Sequence, residues 1–547
     1  MRHMPRNKMG RIRMHRHAAA GLCVLLLPLL LLSGCSGAVR QPAATAATGN
    51  GIEATPVRSD LPRRDLVICM PGNIQKDHQL VNDEINKILL ERLNCTLTIK
   101  MTDWNLWSSK YPVLISSSDQ MDMMFTASYF AYLQEVAKNT FLPLDDLLAE
   151  YGRDIPGVMV GGYLDAAKVK GKLYAIPVNK DTGQGWGVVA NQDMAEELGV
   201  DFDDVHHLED LEPILAKARE GLPKTVTPLF LSTDLSMTQI MGSTQACDNI
   251  GMMDRSRFVL ISDFIFYDMQ THASMPVSSI PEYLDQCRLV RNWFKAGYIN
   301  DNVTTTQMTS REAMMEGKAF MHVQAQSPIH KAQWENETGK RLLTVEFIRG
   351  IKETQSMTGS MTALPRQCTD PERAMMVINQ FWTDSVLKNL FTWGIEGTHY
   401  VRVKDNIIRL PDGMKSAEQT GYNPGNFWHF GNAYLLNVWE NEDPRKWSLL
   451  RQYCDEMPES PLLGFSFDTW PVRQELLAFT NHNTELMPLL ANGVLDTDEI
   501  LLRINQKDRS TGIDRICAEL DRQIEAWLRE KGRFSDSSSG TPAATGP

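Results

Sequence analysis

Tryptophan and tyrosine residues with a polar neighbour recur along this chain of 547 residues. An aromatic ring offers a large apolar surface at little conformational cost, so it can pack against the apolar face of a sugar ring. Neighbouring Asp, Asn, Gln or Arg side chains can hydrogen bond to the sugar hydroxyls. Each ring taken alone is more often a core residue, so core packing is the first interpretation of each position and a sugar contact is the alternative. The candidates are Trp104, Trp107, Tyr129, Trp186, Trp428 and Trp470.

Two of the candidate positions are flanked by glycine. Trp186 is the foremost candidate, because it lies in a predicted glycine-flanked loop, 181–187 (DTGQGWG), which also carries Asp181. Glu396 lies between Gly394 and Gly397, so its carboxylate either forms a structural corner or contacts ligand hydroxyls. By contrast, the helical spacing of their neighbours predicts that Trp382 and Trp527 are core residues.

Motifs of several enzyme and metal-site classes do not occur in the sequence. The chain has no G-x-S-x-G elbow, no H-E-x-x-H zinc motif and no G-x-G-x-x-G fingerprint in a fitting context. We therefore expect no metal and no cofactor. A glycosidase would need two carboxylates. The conceivable pairs are Asp119 with Asp122, Asp145 with Asp146, and Asp181 with Glu396, of which the first two are more simply residues of turns and helix starts.

The N-terminus has the organisation of an export signal. Six basic residues and no acidic one precede Cys35, and an apolar run from Ala18 to Leu32 leads to the sequence Leu-Ser-Gly-Cys. This pattern predicts a signal peptide over residues 1–34. The last four residues resemble a bacterial lipobox, in which the cysteine is lipidated and becomes the new N-terminus. The alternative is an uncleaved anchor in which Cys35 is incidental.

Charge and composition exclude other classes. The chain has a net charge of −12, which becomes −18 once the six basic residues of the signal peptide are removed. Such an acidic chain is a poor partner for nucleic acid. The remaining cysteines are scattered without a C-x-x-C pair, and we interpret most of them as buried small residues. No second apolar run is long enough for a membrane span.

The first elements of the domain alternate between strand and helix. The apolar run Leu66–Met70 predicts a buried strand, Val81–Leu93 a helix, and 96–99 and 121–125 two further strands. This alternation favours an α/β lobe with a mostly parallel sheet, whose ligands bind beyond the carboxyl ends of the strands. Asp103-Trp104 and Ser128-Tyr129 follow such ends.

A series of segments carries a family resemblance. Gly171–Pro177 reads GKLYAIP, and Val188–Asp193 reads VVANQD, in which Asp193 can cap the next helix. Further segments follow in order: 142–148, 293–299, 317–321, 371–374, 389–400, 428–432, 463–468 and 512–514. From about Asp65 to Gly532 the chain resembles the extracellular solute-binding proteins of family 1 of ABC importers, in their long, LipO-like lipoprotein form.

The resemblance implies a type II periplasmic-binding-protein-like α/β fold, with two lobes, a hinge and helical C-terminal additions. We expect a lipid anchor and flexible linker over 35–63, and a disordered tail over 534–547. The first lobe would comprise 64–178 plus about 323–357, and the second 179–322 plus about 358–533. The ligand-binding residues expected between the lobes are Trp104, Tyr129, Asn179, Asp181, Trp186, Glu396 and Trp428.

The function implied by the resemblance is capture of a carbohydrate, an oligosaccharide above all, and its delivery to the permease subunits of an ABC importer. The protein would be a monomer on the outer face of the bacterial cell membrane, lipid-anchored through Cys35, with no catalytic activity. Two alternatives stay open: a secreted carbohydrate-active enzyme, and a sensor subunit that presents its ligand to a histidine kinase.

Overall fold

The computed structural model describes residues 61–130, 132–233, 236–237, 257–262, 264–414 and 416–533. Several predicted segments lie outside these residues. They are the signal peptide, Cys35 as the predicted lipidation site, most of the linker, and the C-terminal tail. In the described part, no helix is both long enough and apolar enough to cross a bilayer.

Strands form where apolar runs or alternating apolar residues occur. In chain order they are β1 (Arg64–Pro71), β2 (Cys95–Thr102), β3 (Met123–Thr126), β4 (Lys168–Val169), β5 (Lys172–Leu173), β6 (Ala175–Pro177), β7 (Gly185–Asn191), β8 (Thr227–Leu229), β9 (Phe258–Ser262), β10 (Ile265–Asp268), β11 (Ala273–Pro276), β12 (Ala319–Gln326), β13 (Leu342–Ile348), β14 (Met361–Ala363), β15 (Val401–Lys404), β16 (Ile407–Arg409) and β17 (Val438–Trp439).

Helices cover the sheets and make up most of the C-terminal part. In chain order they are α1 (His78–Leu93), α2 (Trp104–Ser116), α3 (Tyr132–Ala137), α4 (Asp145–Tyr151), α5 (Ile155–Val158), α6 (Tyr163–Ala167), α7 (Gln192–Leu198), α8 (Glu212–Gly221), α9 (Pro281–Lys295), α10 (Ser310–Met315), α11 (Lys331–Thr338), α12 (Thr354–Met357), α13 (Pro371–Thr383), α14 (Ser385–Trp393), α15 (Lys446–Asp455), α16 (Arg473–Ala491), α17 (Thr497–Thr511) and α18 (Ile513–Glu530).

The first lobe is built on a five-stranded sheet in the order β2-β1-β3-β14-β6. β1 pairs in parallel with β2 and β3, as the alternation of elements predicts, whereas β14 is antiparallel to both β3 and β6. The inner part of β1 is fully buried because helices cover both faces of such a sheet. α13 begins at an Asp370 cap, with Pro371 at its first position, and buries Ala374, Ile378 and Phe381 in this core.

The second lobe is built on a four-stranded sheet in the order β13-β7-β12-β8. β7 lies between β12 and β13 and is antiparallel to both. A separate sheet in the order β11-β10-β9 packs with α16 and α18 in a further core that contains Phe479, Ile516 and Leu520. α16 also places Leu486 and Leu490 in the core of the second lobe, so the C-terminal helices are attached to that lobe.

The predicted two-lobed α/β architecture is confirmed, but the predicted lobe boundaries are wrong. Residues 323–348 belong to the second lobe, because β12 and β13 hydrogen bond to β7. Residues 361–457 belong largely to the first lobe, because β14 lies between β3 and β6 and α13 to α15 pack in its core. Only the part after about residue 461 returns to the second lobe.

The predicted cap of α7 is also wrong. Asn191 is the N-cap, and its side-chain oxygen accepts a hydrogen bond from the backbone N–H of Met194 at 3.1 Å. Asp193 lies in the first turn, where it pairs on the surface with Arg341. The reason is that the helix begins at Gln192, directly after β7 ends at Asn191, so Asn191 and not Asp193 occupies the capping position.

Among the described residues the chain passes between the lobes three times. The first crossing, 178–184, joins β6 to β7, and the second, 349–360, joins β13 to β14. The third crossing, 458–461, leads from the first-lobe core to the C-terminal part. The second and third crossings run side by side: the N–H of Lys352 donates to the carbonyl of Pro458 at 2.8 Å, and the N–H of Ser460 donates to that of Lys352 at 3.0 Å.

Candidate functional site

The interlobe cleft is a cavity of about 780 Å³ between the two lobes. This volume lies within the range of roughly 300–1,000 Å³ that small-molecule sites occupy. The first lobe contributes Ser128, Tyr129, Phe427 and Trp428. The first two crossings contribute Lys180, Asp181, Gly183, Gln184, Ile351, Glu353, Gln355, Ser356 and Gly359, and the second-lobe side contributes Ser262, Ile329 and His330.

The first-lobe wall of the cleft is aromatic. Trp428 lines the cleft and stacks on Trp104, with ring centroids 5.5 Å apart and planes at 22°. Phe125 meets Trp428 edge to face. Tyr129, shortly after β3, also lines the cleft and is 58% exposed. The rings of Trp428 and Tyr129 can hold the apolar face of a sugar.

Hydrogen bonds to the backbone fix the loop that carries Trp428. The hydroxyl of Ser360 donates to the carbonyl of Trp428 at 2.6 Å. The buried ammonium of Lys388, on α14, donates to the carbonyls of Phe427 at 2.8 Å and Phe430 at 2.7 Å. Backbone carbonyls on both sides of Trp428 are therefore hydrogen bonded, and these bonds hold the ring in one position. The aromatic wall thus exists before any ligand binds.

The groups behind this wall are uncharged or only partly charged near neutral pH. Burial lowers the pKa of Lys388 to about 7, because the charged form of the ammonium group is unfavourable where water cannot reach it. Burial, together with the nearby Lys388, lowers the pKa of His429 to about 3. His429 packs against Trp104 and Trp428 as a neutral ring.

The floor of the cleft is polar and lies on the first crossing. One carboxylate oxygen of Asp181 pairs with the ammonium of Lys180 at 3.1 Å, and the other accepts from Gln184 at 3.1 Å. Burial alone raises the pKa of Asp181, but the positive charge of Lys180 and the influence of His330 outweigh it, so the pKa stays below its usual value. The floor therefore presents an ionised carboxylate beside an ammonium, a pair that can bind sugar hydroxyls as acceptor and donor.

Tyr453, on α15, connects the first two crossings at the hinge. Its hydroxyl accepts from the N–H of Gly185 at 3.1 Å and from that of Gly350 at 3.3 Å, and it donates to the carboxylate of Glu346 at 2.5 Å. One side chain of the first lobe thus binds the start of β7 and the segment after β13.

The structure brings three of the seven predicted binding residues to the cleft. Tyr129, Asp181 and Trp428 line it, and Trp104 lies directly behind Trp428. Their contact with a ligand stays a prediction. The other three, Asn179, Trp186 and Glu396, lie elsewhere.

Asn179 is a structural residue of the first crossing. Its side chain is buried, accepts from the N–H of Val160 at 3.1 Å, and donates to Val158 and Asn432 at 3.0 Å each. All of its polar atoms are used within the first lobe, so it does not face the cleft.

Trp186 lies in a strand and not in the predicted loop. It is 4% exposed in β7, within the core of the second lobe. The flanking glycines have a different cause: a Cβ at Gly185 would overlap Glu346, and a Cβ at Gly187 would overlap the carbonyl of Val345. The glycines allow β13 to approach β7 closely, and they do not mark a binding loop.

Glu396 forms a structural corner, which is one of the two roles that the sequence analysis considered for it. Its carboxylate pairs with Arg402 at 2.8 Å on the surface of the first lobe, away from the cleft. The nearby His399 is buried, and its Nε2 lies within hydrogen-bond distance of the carboxylate of Asp77, at 3.3 Å.

The sequence analysis did not predict most of the polar residues that line the interlobe cleft. Ser128 adjoins the predicted Tyr129, and Lys180 and Gln184 adjoin the predicted Asp181, so proximity to the crossover could have found them. Ser262, His330 and Glu353 come from three distant segments, and no local pattern marks them. Among the described residues, no cluster of three or more His, Cys, Asp or Glu side chains could hold a metal ion.

The titration of Lys388 gives a testable prediction. Because its folded pKa of about 7 lies below its unfolded value, the unfolded chain binds the extra proton between about pH 7 and pH 10. The free energy of unfolding of the wild type should therefore rise with pH relative to that of Lys388→Met. In this window the difference between the two proteins should grow by up to about 1.4 kcal/mol per pH unit. Below the window the difference should be constant. Urea denaturation at pH 6 to 9 measures it.

The control for Lys388 is an exposed lysine. Lys87 is 68% exposed, so Lys87→Met should show no such pH-dependent difference from the wild type. His429 stays neutral throughout this window and adds no slope. A flat difference between wild type and Lys388→Met would contradict the partly neutral, buried state of this lysine.

Comparison with known proteins was made for sequence and for structure. A family model described as a domain of unknown function, DUF3502, matches residues 461–529. A carbohydrate ABC transporter substrate-binding protein of Streptococcus pneumoniae is 24% identical over 475 residues, which cover 84% of this chain and 89% of that protein.

Solved structures share the fold. The N-glycan transport solute binding protein NgtS of Streptococcus pneumoniae superimposes with a TM-score of 0.74 at 21% identity, covering 86% of this chain and 100% of that one. Its complexes with Man1GlcNAc and Man5GlcNAc superimpose with TM-scores of 0.65 and 0.62 at 22% identity. They cover 85% and 86% of this chain and 100% and 99% of theirs. The predicted resemblance is thus confirmed: the chain is similar to the solute-binding proteins of carbohydrate ABC importers and has their two-lobed α/β fold.

Proposed function

We propose that this protein is an extracellular solute-binding protein that captures a carbohydrate in the interlobe cleft and delivers it to the permease of an ABC importer. One observation carries the proposal: the fixed aromatic wall of Trp428 and Trp104 lies across the same cleft as the Lys180–Asp181 pair. This arrangement offers an apolar surface and hydroxyl partners to one ligand. The similarity to a carbohydrate-transporter protein of Streptococcus pneumoniae supports it.

Binding would favour the closed arrangement of the lobes. A ligand that touches Trp428 on the first lobe and His330 on the second-lobe side gains both sets of contacts only when the lobes are close. A ligand shifts an equilibrium between two conformations by its differential affinity for them. The closed form is then the state that a permease distinguishes from the empty protein.

The charges of the cleft favour a neutral oligosaccharide. Lys180 is paired with Asp181, and Glu353 adds a further carboxylate to the lining. A polyanionic ligand such as a uronic-acid oligomer would meet these carboxylates without a surplus of cations to neutralise it. NgtS was solved with the neutral sugars Man1GlcNAc and Man5GlcNAc, which makes these two sugars suitable first probes.

We infer that the protein binds its sugar without breaking a bond, and the state of Asp181, one of the two carboxylates that line the cleft, supports this. A glycosidase needs a general acid whose pKa is raised, so that it holds a proton near neutral pH. The pKa of Asp181 is lowered, and its two carboxylate oxygens are occupied by Lys180 and Gln184. It is suited to accept hydrogen bonds from hydroxyls rather than to donate a proton.

The test is binding of a defined sugar panel followed by analysis of the sugar. A ligand present at 100 times its Kd should stabilise the protein by about 2.7 kcal/mol and so raise its Tm. We expect at least one neutral oligosaccharide, with Man1GlcNAc and Man5GlcNAc in the panel, to raise the Tm and to be recovered unchanged. A flat response to every sugar would contradict carbohydrate binding, and recovery of cleaved sugar would indicate an enzyme.

Paired variants locate the site in the same assay. Trp428→Ala and Asp181→Asn should weaken the binding of that sugar about tenfold or more, because each removes a contact worth about 1–3 kcal/mol. The matched controls are Trp470→Ala, whose ring is 66% exposed, and Glu396→Gln, away from the cleft. Equal losses in the variants and their controls would place the site elsewhere.

We also propose that the protein is anchored to the outer face of the membrane through a lipid on Cys35. The basic, then apolar N-terminus and its Leu-Ser-Gly-Cys end support this location. Cys35→Ala should move the protein from the membrane fraction to the medium or leave it as an unprocessed precursor, which fractionation and mass spectrometry of the N-terminus distinguish. A mature, membrane-bound Cys35→Ala protein would contradict the lipid anchor.

A further inference from the structure

A second cavity, the lateral pocket, adjoins the interlobe cleft. Its volume is about 210 Å³, roughly a quarter of that of the cleft. The first lobe lines it with residues of α3 and of 166–169, and the opposite side consists of β9 and the segment 460–469. This pocket therefore also lies between elements of the two lobes.

The two cavities share part of their lining. Ser128, Ser262, Glu353 and Gln355 line both of them. At the junction, the amide of Gln355 donates to the carbonyl of Ile261 at 3.3 Å, so this side chain reaches from the second crossing to β9. A ligand that extends from the cleft past Gln355 would enter the lateral pocket.

The size of the lateral pocket indicates a subsite and not an independent site. A volume of about 210 Å³ is below the roughly 300 Å³ at which cavities hold a whole small-molecule ligand. It suits a single ring-sized portion of a longer molecule. The occupant is therefore a part of the ligand that the cleft already holds.

The lining has the chemistry of a carbohydrate contact. Hydroxyl side chains such as Thr354 and Ser466 alternate with the aromatic rings of Phe465 and Phe467. The charged side chains of the lining are Lys168, which is paired with Asp165 at 2.9 Å, and Glu353 at the junction with the cleft. Hydroxyl and carboxylate groups beside aromatic surface suit the hydroxyls and apolar faces of a neutral sugar, as in the cleft itself.

We propose that the lateral pocket is a subsite for an additional sugar ring of the bound oligosaccharide, and that residues 462–469 form its wall. This inference rests on the proposed function. It gives a role to the first part of the segment matched as a domain of unknown function, 461–529. A short oligosaccharide, whose rings all fit in the cleft, would bind without using the lateral pocket. A longer or branched oligosaccharide would bind more tightly because one of its rings occupies the lateral pocket.

Two variants that fill the pocket from opposite walls test the proposal. Ser466 and Gln134 line the lateral pocket and not the cleft, and both are partly exposed, so a larger side chain can be accommodated during folding. The variants are Ser466→Phe and Gln134→Trp. The matched control is Ser510→Phe, on the exposed end of α17 within the same matched segment.

The probes are Man1GlcNAc with Man5GlcNAc, and maltose with maltopentaose, measured by isothermal titration calorimetry. For the pair that the wild type binds, we expect the longer sugar to bind at least tenfold more tightly. Each filled variant should lose that preference while its Kd for the shorter sugar stays within twofold of the wild type. Ser510→Phe should bind both sugars as the wild type does.

The outcomes separate this inference from the proposed function. Unchanged binding of the longer sugar by both filled variants, or equal losses for both sugar lengths, would overturn the lateral subsite and leave carbohydrate binding intact. A wild type that binds none of the four sugars and responds to no sugar of the panel would overturn the proposed function, and the subsite with it.

Discussion

The pairing of the three chain crossings is the constraint on which the arrangement of this molecule depends. The hydroxyl of Tyr453 binds the N–H groups of Gly185 and Gly350, and backbone hydrogen bonds between Lys352 and residues 458–460 join the second crossing to the third. These bonds hold the three crossings together where the two lobes meet. Crossings held together in this way suit the hinge type of domain motion, in which one lobe rotates relative to the other.

The two sides of the cleft are prepared to different degrees. The first-lobe wall is fixed by a buried lysine, although burying an ammonium is unfavourable and lowers the pKa of Lys388 to about 7. Its two hydrogen bonds to carbonyls offset part of that cost and hold the loop of Trp428. The second-lobe side contributes Ser262 and His330, which come from two separate segments of the chain.

The sequence predicts local elements far better than their long-range pairing. The apolar run of β1 and the GKLYAIP segment before the first crossing are local signals, and the structure places both where predicted. The predicted boundaries place β13 and β14 in the wrong lobes, because the local pattern of a strand does not tell which sheet it joins. Trp186 was misplaced for a similar reason: the glycines beside it serve the close approach of β13, a contact between distant segments. Ser262, His330 and Glu353 meet only through the fold.

We propose that a bound sugar draws the two lobes together about the hinge. Small-angle X-ray scattering of the mature chain, with and without a saturating sugar identified from the panel, measures this most directly. We expect a smaller radius of gyration in the presence of the sugar, and no change with a sugar that does not bind. An unchanged radius of gyration under stoichiometric binding would contradict closure as the consequence of capture.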